Sequence, residues 1–340
     1  MSPLPRSRSG MPDQPGPATS IRIVSGIQPS GPLHLGNYFG MIRPAAAFQT
    51  QGQAFYFVAD LHALTTVRDP QALRQFTRDA ALDLMAAGLD PTRAVLFRQS
   101  DVPEVTELAW ILSTLTPLGL LERAHAFKDK VARGLPASHA LIAYPVLMAA
   151  DVLLYDTDLV PVGRDQTQHL EIARDIAAKL NNVYGPVFKL PRASILDEVA
   201  VVPGTDGQKM SKSYGNTIAP GLTGDALRQR VMAIVTDSAS VADAKDPSRS
   251  TIVQLYRLIA SPAEGARMED EFRAGGVGYG EFKRRLFEAL DAYFTPFRTR
   301  REALGRDPKT VDQVLQDGAT RARAVALETM TRTRHAVGLS

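Results

Sequence analysis

Ile21-Arg22-Ile23-Val24-Ser25-Gly26-Ile27-Gln28-Pro29-Ser30-Gly31-Pro32-Leu33-His34-Leu35-Gly36-Asn37 is the stretch on which the fold turns. It opens with a short β-branched run, passes through a Gly-, Pro- and Ser-rich loop, and from Leu35 to about Gln49 follows a helical pattern. A strand that ends in such a loop and feeds straight into a helix leaves backbone N–H groups free at the helix start. Together with the helix dipole they favour an anion such as a phosphate. His34 and Asn37 stand three residues apart, a spacing that puts both on one helical face and within reach of one phosphate. Gly36 leaves room for a flat purine to approach the backbone. The competing reading of these residues alone is an ordinary strand–turn–helix with a satisfied histidine.

Further along, a strand is expected at 54–59, a helix after Asp69-Pro70 with the proline in its first turn, and a strand at 94–99. Strand and helix alternating at this spacing predict a parallel sheet with crossover helices. Helices at 104–115, 120–131 and 138–154, a strand at 159–162 and a helix at 166–180 complete the unit. Beyond about Gly221 strand signals nearly vanish, and helical patterns cover 226–235, 251–259, 279–293 and 311–336. The fold class is therefore α/β: a Rossmann-like parallel-sheet nucleotide-binding domain (21–203) with a helical C-terminal domain (222–340). A Gly/Pro-rich, mobile linker is expected at 204–221. Residues 1–20 hold five Pro, four Ser and two Gly without apolar periodicity, the composition of a disordered tail.

The chain has 340 residues, and Lys+Arg 39 against Asp+Glu 36 leaves a formal charge of +3. That balance excludes a polybasic protein, so any nucleic-acid contact has to come from local patches. Lys283-Arg284-Arg285, Arg298-Arg300-Arg301 and Arg321/Arg323 are such clusters, with solvated helix faces as the plainer explanation. The absence of cysteine excludes a disulfide scaffold and thiolate zinc sites and suits a reducing, cytoplasmic compartment. No apolar run is long enough for a membrane span. His125, His139 and His169 show no metal-ligand spacing with Asp or Glu, so no metal site is expected from protein side chains.

Lys209-Met210-Ser211-Lys212-Ser213 lies inside the linker. Two lysines flanking a serine place positive charge where a polyphosphate would need it. The pentapeptide is weak alone, but it follows the first motif by the length of a nucleotide-binding unit. Asp151 is the most informative single residue. It interrupts the apolar helical run Met148-Ala149-Ala150-Asp151-Val152-Leu153-Leu154, where a carboxylate is costly unless it meets a donor. A cap on a neighbouring helix is the alternative.

Together the two motifs resemble the signatures of the class I aminoacyl-tRNA synthetases, and the detail is similar to the tryptophanyl-tRNA synthetases. The Ser25–Gly31 run, His34-Leu35-Gly36-Asn37-Tyr38, Tyr144-Pro145-Val146-Leu147-Met148-Ala149-Ala150-Asp151, Val160-Pro161-Val162-Gly163-Arg164-Asp165-Gln166 and Gly278-Tyr279-Gly280-Glu281-Phe282-Lys283 carry the likeness, from about Ile21 to the C-terminus. Val24, His34 and Arg164 depart from residues common in bacterial relatives, which hold an aromatic, a threonine and an acidic residue there. The resemblance implies activation of L-tryptophan by ATP with Mg²⁺, transfer to the cognate tRNA, and a homodimer with the segment around 110–130 at its interface. Lys209, Lys212 and His34 would be catalytic. Gln28, Pro29, Ser30, Gly36, Asn37, Gly163, Arg164, Asp165, Lys130 and the loop Lys209, Met210, Ser211, Lys212, Ser213 would hold ATP, with Asp165 on the ribose. Lys128 and Lys130 match phosphate-site lysines, although a solvated helix face explains them equally. For tryptophan, Asp151 would accept the indole N–H, Gln166 would meet the amino group, and His62, Met148, Tyr144, Val160 and Val162 would shape the slot. No stretch is long enough for an inserted editing domain, which suits the largest amino acid with a polar handle. The alternatives are a tyrosyl-tRNA synthetase, another nucleotidyltransferase, and a duplicated synthetase with a regulatory, protein-binding role.

Overall fold

The computed structural model describes residues 21–123, 138–163, 167–195 and 202–339. The tail at 1–20, Lys128, Lys130, Arg164-Asp165-Gln166 and positions 196–201 therefore lie outside the described residues. The sequence pattern yields five parallel strands, β1 (Arg22–Ile27), β2 (Gln53–Val58), β3 (Val95–Arg98), β4 (Leu159–Val162) and β5 (Arg192–Ile195), in the spatial order β3-β2-β1-β4-β5. The register runs from Arg22 opposite Gln53 to Ile27 opposite Val58. β5 was not expected, because Arg-Ala-Ser-Ile is short and half polar and its strand character comes from pairing with β4.

The helices are α1 (Leu35–Asn37), α2 (Arg43–Phe48), α3 (Asp60–Ala63), α4 (Pro70–Ala86), α5 (Glu104–Ser113), α6 (Leu118–Glu122) and α7 (His139–Leu153). They continue with α8 (Thr167–Tyr184), α9 (Gly224–Met232), α10 (Thr251–Arg257), α11 (Pro262–Ala274), α12 (Tyr279–Gly305) and α13 (Pro308–Val337). The helix expected from Leu35 onward is continuous but contains a π-helical turn at Tyr38–Ile42.

Side chains alternate across the sheet, as the period of two demands. Phe55 and Phe57 enter a core with α5, α7 and α8. Ala54, Tyr56 and Val58 enter another with α4. Because both faces are covered, β2 reads as an unbroken apolar run. A third core joins the helical domain to the motifs: Leu35, Tyr38 and Phe39 pack with Val202, Met210 and Ile218 against Phe294 and Phe297 of α12.

The last helix does not extend the helical domain. Ala319, Ala322, Ala326 and Met330 of α13 are buried in the first core, against β3 and α5. Gly318 allows this approach: a Cβ there would lie 1.8 Å from the Leu96 carbonyl oxygen, so only glycine fits. Residues 308–337 thus complete the α/β domain although the chain order places them after the helical one. The basic clusters are tied inward as well. Arg301 pairs with Asp79 and Asp83, Arg300 donates to the Ala86 carbonyl, Arg298 to that of Leu222, Arg323 pairs with Glu104, and Arg321 donates to the carbonyls of Pro91 and Ala94. Lys283 donates to the Met232 carbonyl, while Arg284 and Arg285 pair with glutamates of α11 and α12.

Candidate active site

In the order β3-β2-β1-β4-β5 the direction of winding reverses between β1 and β4, and ligands of such sheets bind outside the carboxyl ends of the strands at that point. The loop after β1 sits there. Gln28, Pro29, Ser30, Gly31, Leu33 and Asn37 line a cleft together with Ala80, Asp83 and Lys212. The two motifs, 182 positions apart, therefore meet. Lys212 Nζ is 3.4 Å from Ser30 Oγ, and Met210 Cβ packs beside Gly36.

His34 is the N-cap of α1, in extended backbone, and the helix starts one residue later. The expected pairing of His34 and Asn37 on one helical face is thus replaced by a cap: Asn37 Oδ1 accepts from the His34 backbone N–H at 3.3 Å. The His34 ring is buried, and its Nδ1 has no hydrogen-bond partner among the described residues. Burial, reinforced by the nearby Lys212 charge, lowers its pKa to about 4, so the ring is neutral at physiological pH. Gly36 is needed for this ring as much as for a ligand, since a Cβ there would lie 2.9 Å from His34 Cε1 and Nδ1.

The stretch expected to be a mobile linker is tied down by Asn216, a residue no motif covers. Its Oδ1 accepts from the Ser211 N–H, and its amide donates to Asp206 Oδ1 and to the Lys209 carbonyl. Met210 is buried and its N–H donates to the Val202 carbonyl, while Lys209 forms an antiparallel bridge with Pro203. The loop is therefore rooted by its apolar residue and presents its polar ones. Ser211 and Ser213 Oγ are 2.8 Å apart, and partial burial lowers the Lys212 pKa.

Asp151 lies within α7, buried, and caps none of the described helices. Its Oδ2 accepts from His62 Nε2 at 2.8 Å and its Oδ1 from Gln99 Nε2 at 2.7 Å. Burial raises its pKa, and the two donors oppose that rise. His62, expected as an apolar wall, is thus a polar partner of the carboxylate. Tyr144 and Met148 precede Asp151 by seven and three residues, on one helical face. The Tyr144 ring meets His62 edge-on, and its hydroxyl is 2.9 Å from His169 Nε2. Val160 and Val162 are buried on β4, and Gly163 follows at the strand end. Gln28, in the cleft lining, donates to Thr66 Oγ1 at 3.4 Å. Gln99 was missed because one glutamine at a strand end reads as solvent-facing. Among the described residues no three His, Asp or Glu side chains converge as a metal site, and no helix is long and apolar enough to cross a membrane.

Residues 17–295 match the family described as tRNA synthetases class I (W and Y). A tryptophan–tRNA ligase of Rhodopirellula baltica is 54% identical over 321 residues, 94% of this chain and 100% of the relative. One of Fusobacterium nucleatum is 48% identical over 94% of this chain and 98% of its own length. The crystal structure of tryptophanyl-tRNA synthetase from Campylobacter jejuni, complexed with ADP and tryptophan, superposes with a TM-score of 0.88 at 48% identity, covering 94% of this chain and 100% of that one. With both signature motifs gathered at the switch point of such a sheet, and identity of this order over nearly the whole chain, the protein belongs to the tryptophanyl-tRNA synthetases of class I.

Proposed function

We propose that this chain activates L-tryptophan with ATP, forming tryptophanyl-adenylate and pyrophosphate, and then transfers tryptophan to the 3′ end of its cognate tRNA. The observation that carries this reading is the contact of the two motifs across the cleft, Lys212 Nζ against Ser30 Oγ. The attacking carboxylate is already ionised, so no general base is needed, and catalysis rests on positioning and on stabilising charge that spreads over the phosphates. Lys209 and Lys212 meet the leaving pyrophosphate. Neutral His34 donates a ring N–H to a phosphate oxygen, and the helix start at Gly36-Asn37 adds its dipole.

Mg²⁺ bound with ATP would neutralise charge on the phosphate oxygens, beside the charge that Lys209 and Lys212 supply. Asp151 accepts the indole N–H in the slot formed by His62, Tyr144, Met148, Val160 and Val162. Asp165, Gln166 and Lys130, outside the described residues, keep the roles the family pattern gives them.

The chain works in the cytoplasm as a homodimer. Trp110, 73% exposed on α5, and Leu118, 58% exposed on α6, are exposed apolar side chains within the segment expected at the interface. Charging of unfractionated tRNA with tryptophan at catalytic enzyme concentration tests the reaction, and light scattering tests the dimer. Failure to charge any tRNA, with the adenylate still formed, would remove the second half-reaction.

A further inference from the structure

We propose that Gln99 is a positioning residue that fixes how Asp151 presents its carboxylate and thereby sets the preference for a substrate ring carrying an N–H donor. The proposal rests on the reading of Asp151 as the indole acceptor. Gln99 opens the short 3-10 turn Gln99–Asp101 after β3 and is 2% exposed. Its Oε1 accepts the Leu61 backbone N–H at 3.1 Å, which determines the orientation of the amide. The other end, Nε2, must then be the donor aimed at Asp151 Oδ1, 2.7 Å away. Asp60 Oδ1 accepts from the Ser100 N–H, and His62, one residue after Leu61, donates to Asp151 Oδ2. The ends of β2 and β3 are thus joined in a closed ring through Gln99, Leu61, His62 and Asp151.

In this ring each carboxylate oxygen carries one built-in donor and keeps a lone pair for substrate. A protonated Asp151 would instead present an O–H, the wrong partner for a ring N–H. Burial pushes Asp151 towards that form, and the charge of Asp60 pushes the same way. His62 and Gln99 oppose them. Among the described residues, Tyr144 on the same helix and Tyr155 just beyond it supply no cation, and burial raises the pKa of both phenols. Gln99 therefore supplies a donor that does not titrate.

The test compares kcat/KM in pyrophosphate exchange for tryptophan and for its analogue with sulfur in place of the ring N–H, across a pH series. Asp151→Ala, Gln99→Leu and Gln99→Glu are compared with the native protein. Gln99→Leu removes the donor, so the tryptophan-to-analogue ratio is expected to fall on the order of tenfold at neutral pH and to recover as pH rises and Asp151 ionises. Gln99→Glu keeps the acceptor for Leu61 but donates to Asp151 only while the pair holds a proton. With that proton on the introduced glutamic acid Asp151 stays a carboxylate, so the ratio is expected to lie nearer native than that of Gln99→Leu at neutral pH, and the two variants to converge as pH rises. Should Gln99→Leu fail to fold, Gln99→Met, of near-native volume and likewise without a donor, takes its place with the same expectation. A native, pH-independent ratio in folded Gln99 variants overturns the proposal, as does a Gln99→Glu ratio no closer to native than that of Gln99→Leu at neutral pH. If Asp151→Ala also keeps the native ratio, the reading of Asp151 itself has failed. If Asp151→Ala collapses the ratio and the Gln99 variants do not, only the role of Gln99 is lost.

Discussion

His34 and Lys212 sit close enough at the cleft for the lysine's charge to help hold the histidine neutral. On the proposed reading the two residues have different work: His34 directs a hydrogen bond, and Lys212 supplies charge. A charge that meets the leaving pyrophosphate interacts more strongly in the transition state than in the ground state. Lys212→Ala is therefore expected to lower kcat for activation on the order of 10²–10³-fold while leaving the KM for tryptophan near native. A raised KM for tryptophan with unchanged kcat would mean that the lysine binds substrate instead. For Asp151→Ala, loss of a charge-assisted acceptor is expected to reduce kcat/KM for tryptophan roughly 10- to 150-fold, read by pyrophosphate exchange. Asp151 was legible in the sequence because a carboxylate in an apolar helix demands a partner. The partners were not: neither Gln99 nor the polar role of His62 leaves a periodic signal, since both lie just past strand ends and acquire their contacts only when β2 and β3 pair.

At the scale of elements, α13 shows how far small residues decide packing. Its Gly318, Ala319, Ala322 and Ala326 let the helix lie against the β3 edge, at Leu96. Gly318→Val is expected to destabilise the chain by about 1–3 kcal/mol, seen as a lower urea midpoint at unchanged slope. A native midpoint would show that α13 does not press on the sheet. The sequence showed this helix but not its destination, because helical periodicity marks an apolar face without naming what it covers. α11 escaped notice for the converse reason. Its buried residues, Gly265, Met268 and Phe272, are sparse, although the capping box of Ser261 and Glu264 marks its start. The linker at 204–221 looked open from its glycines and prolines, yet buried Asn216 and Met210 tie it down through contacts that composition does not show.

Across the whole molecule, one core roots both motifs. Leu35 and Met210 are buried with the aromatic side chains of α12, so the helical region and the cleft between the two motifs are mechanically joined. Asp83 is a second link, lining the cleft on one side and pairing with Arg301 of α12 on the other. Burial, larger than the opposing effect of Arg301, raises its pKa to about 6. With the folded value above the ordinary 3.8, its contribution to stability is complete below that ordinary value and is lost as pH rises through about 6. Asp83→Asn should remove that part of the pH dependence. The stability of the native chain relative to the variant is expected to fall by about 2–3 kcal/mol over this window, measured by urea unfolding at each pH. Parallel curves would show that Asp83 titrates as an ordinary carboxylate. The central claim, that this assembled cleft selects tryptophan and joins it to AMP, is tested most directly by pyrophosphate exchange with each of the twenty amino acids in turn. Exchange with tryptophan far above every other amino acid, tyrosine included, is the result expected. Exchange driven by tyrosine, or by no amino acid in a folded protein, would contradict it.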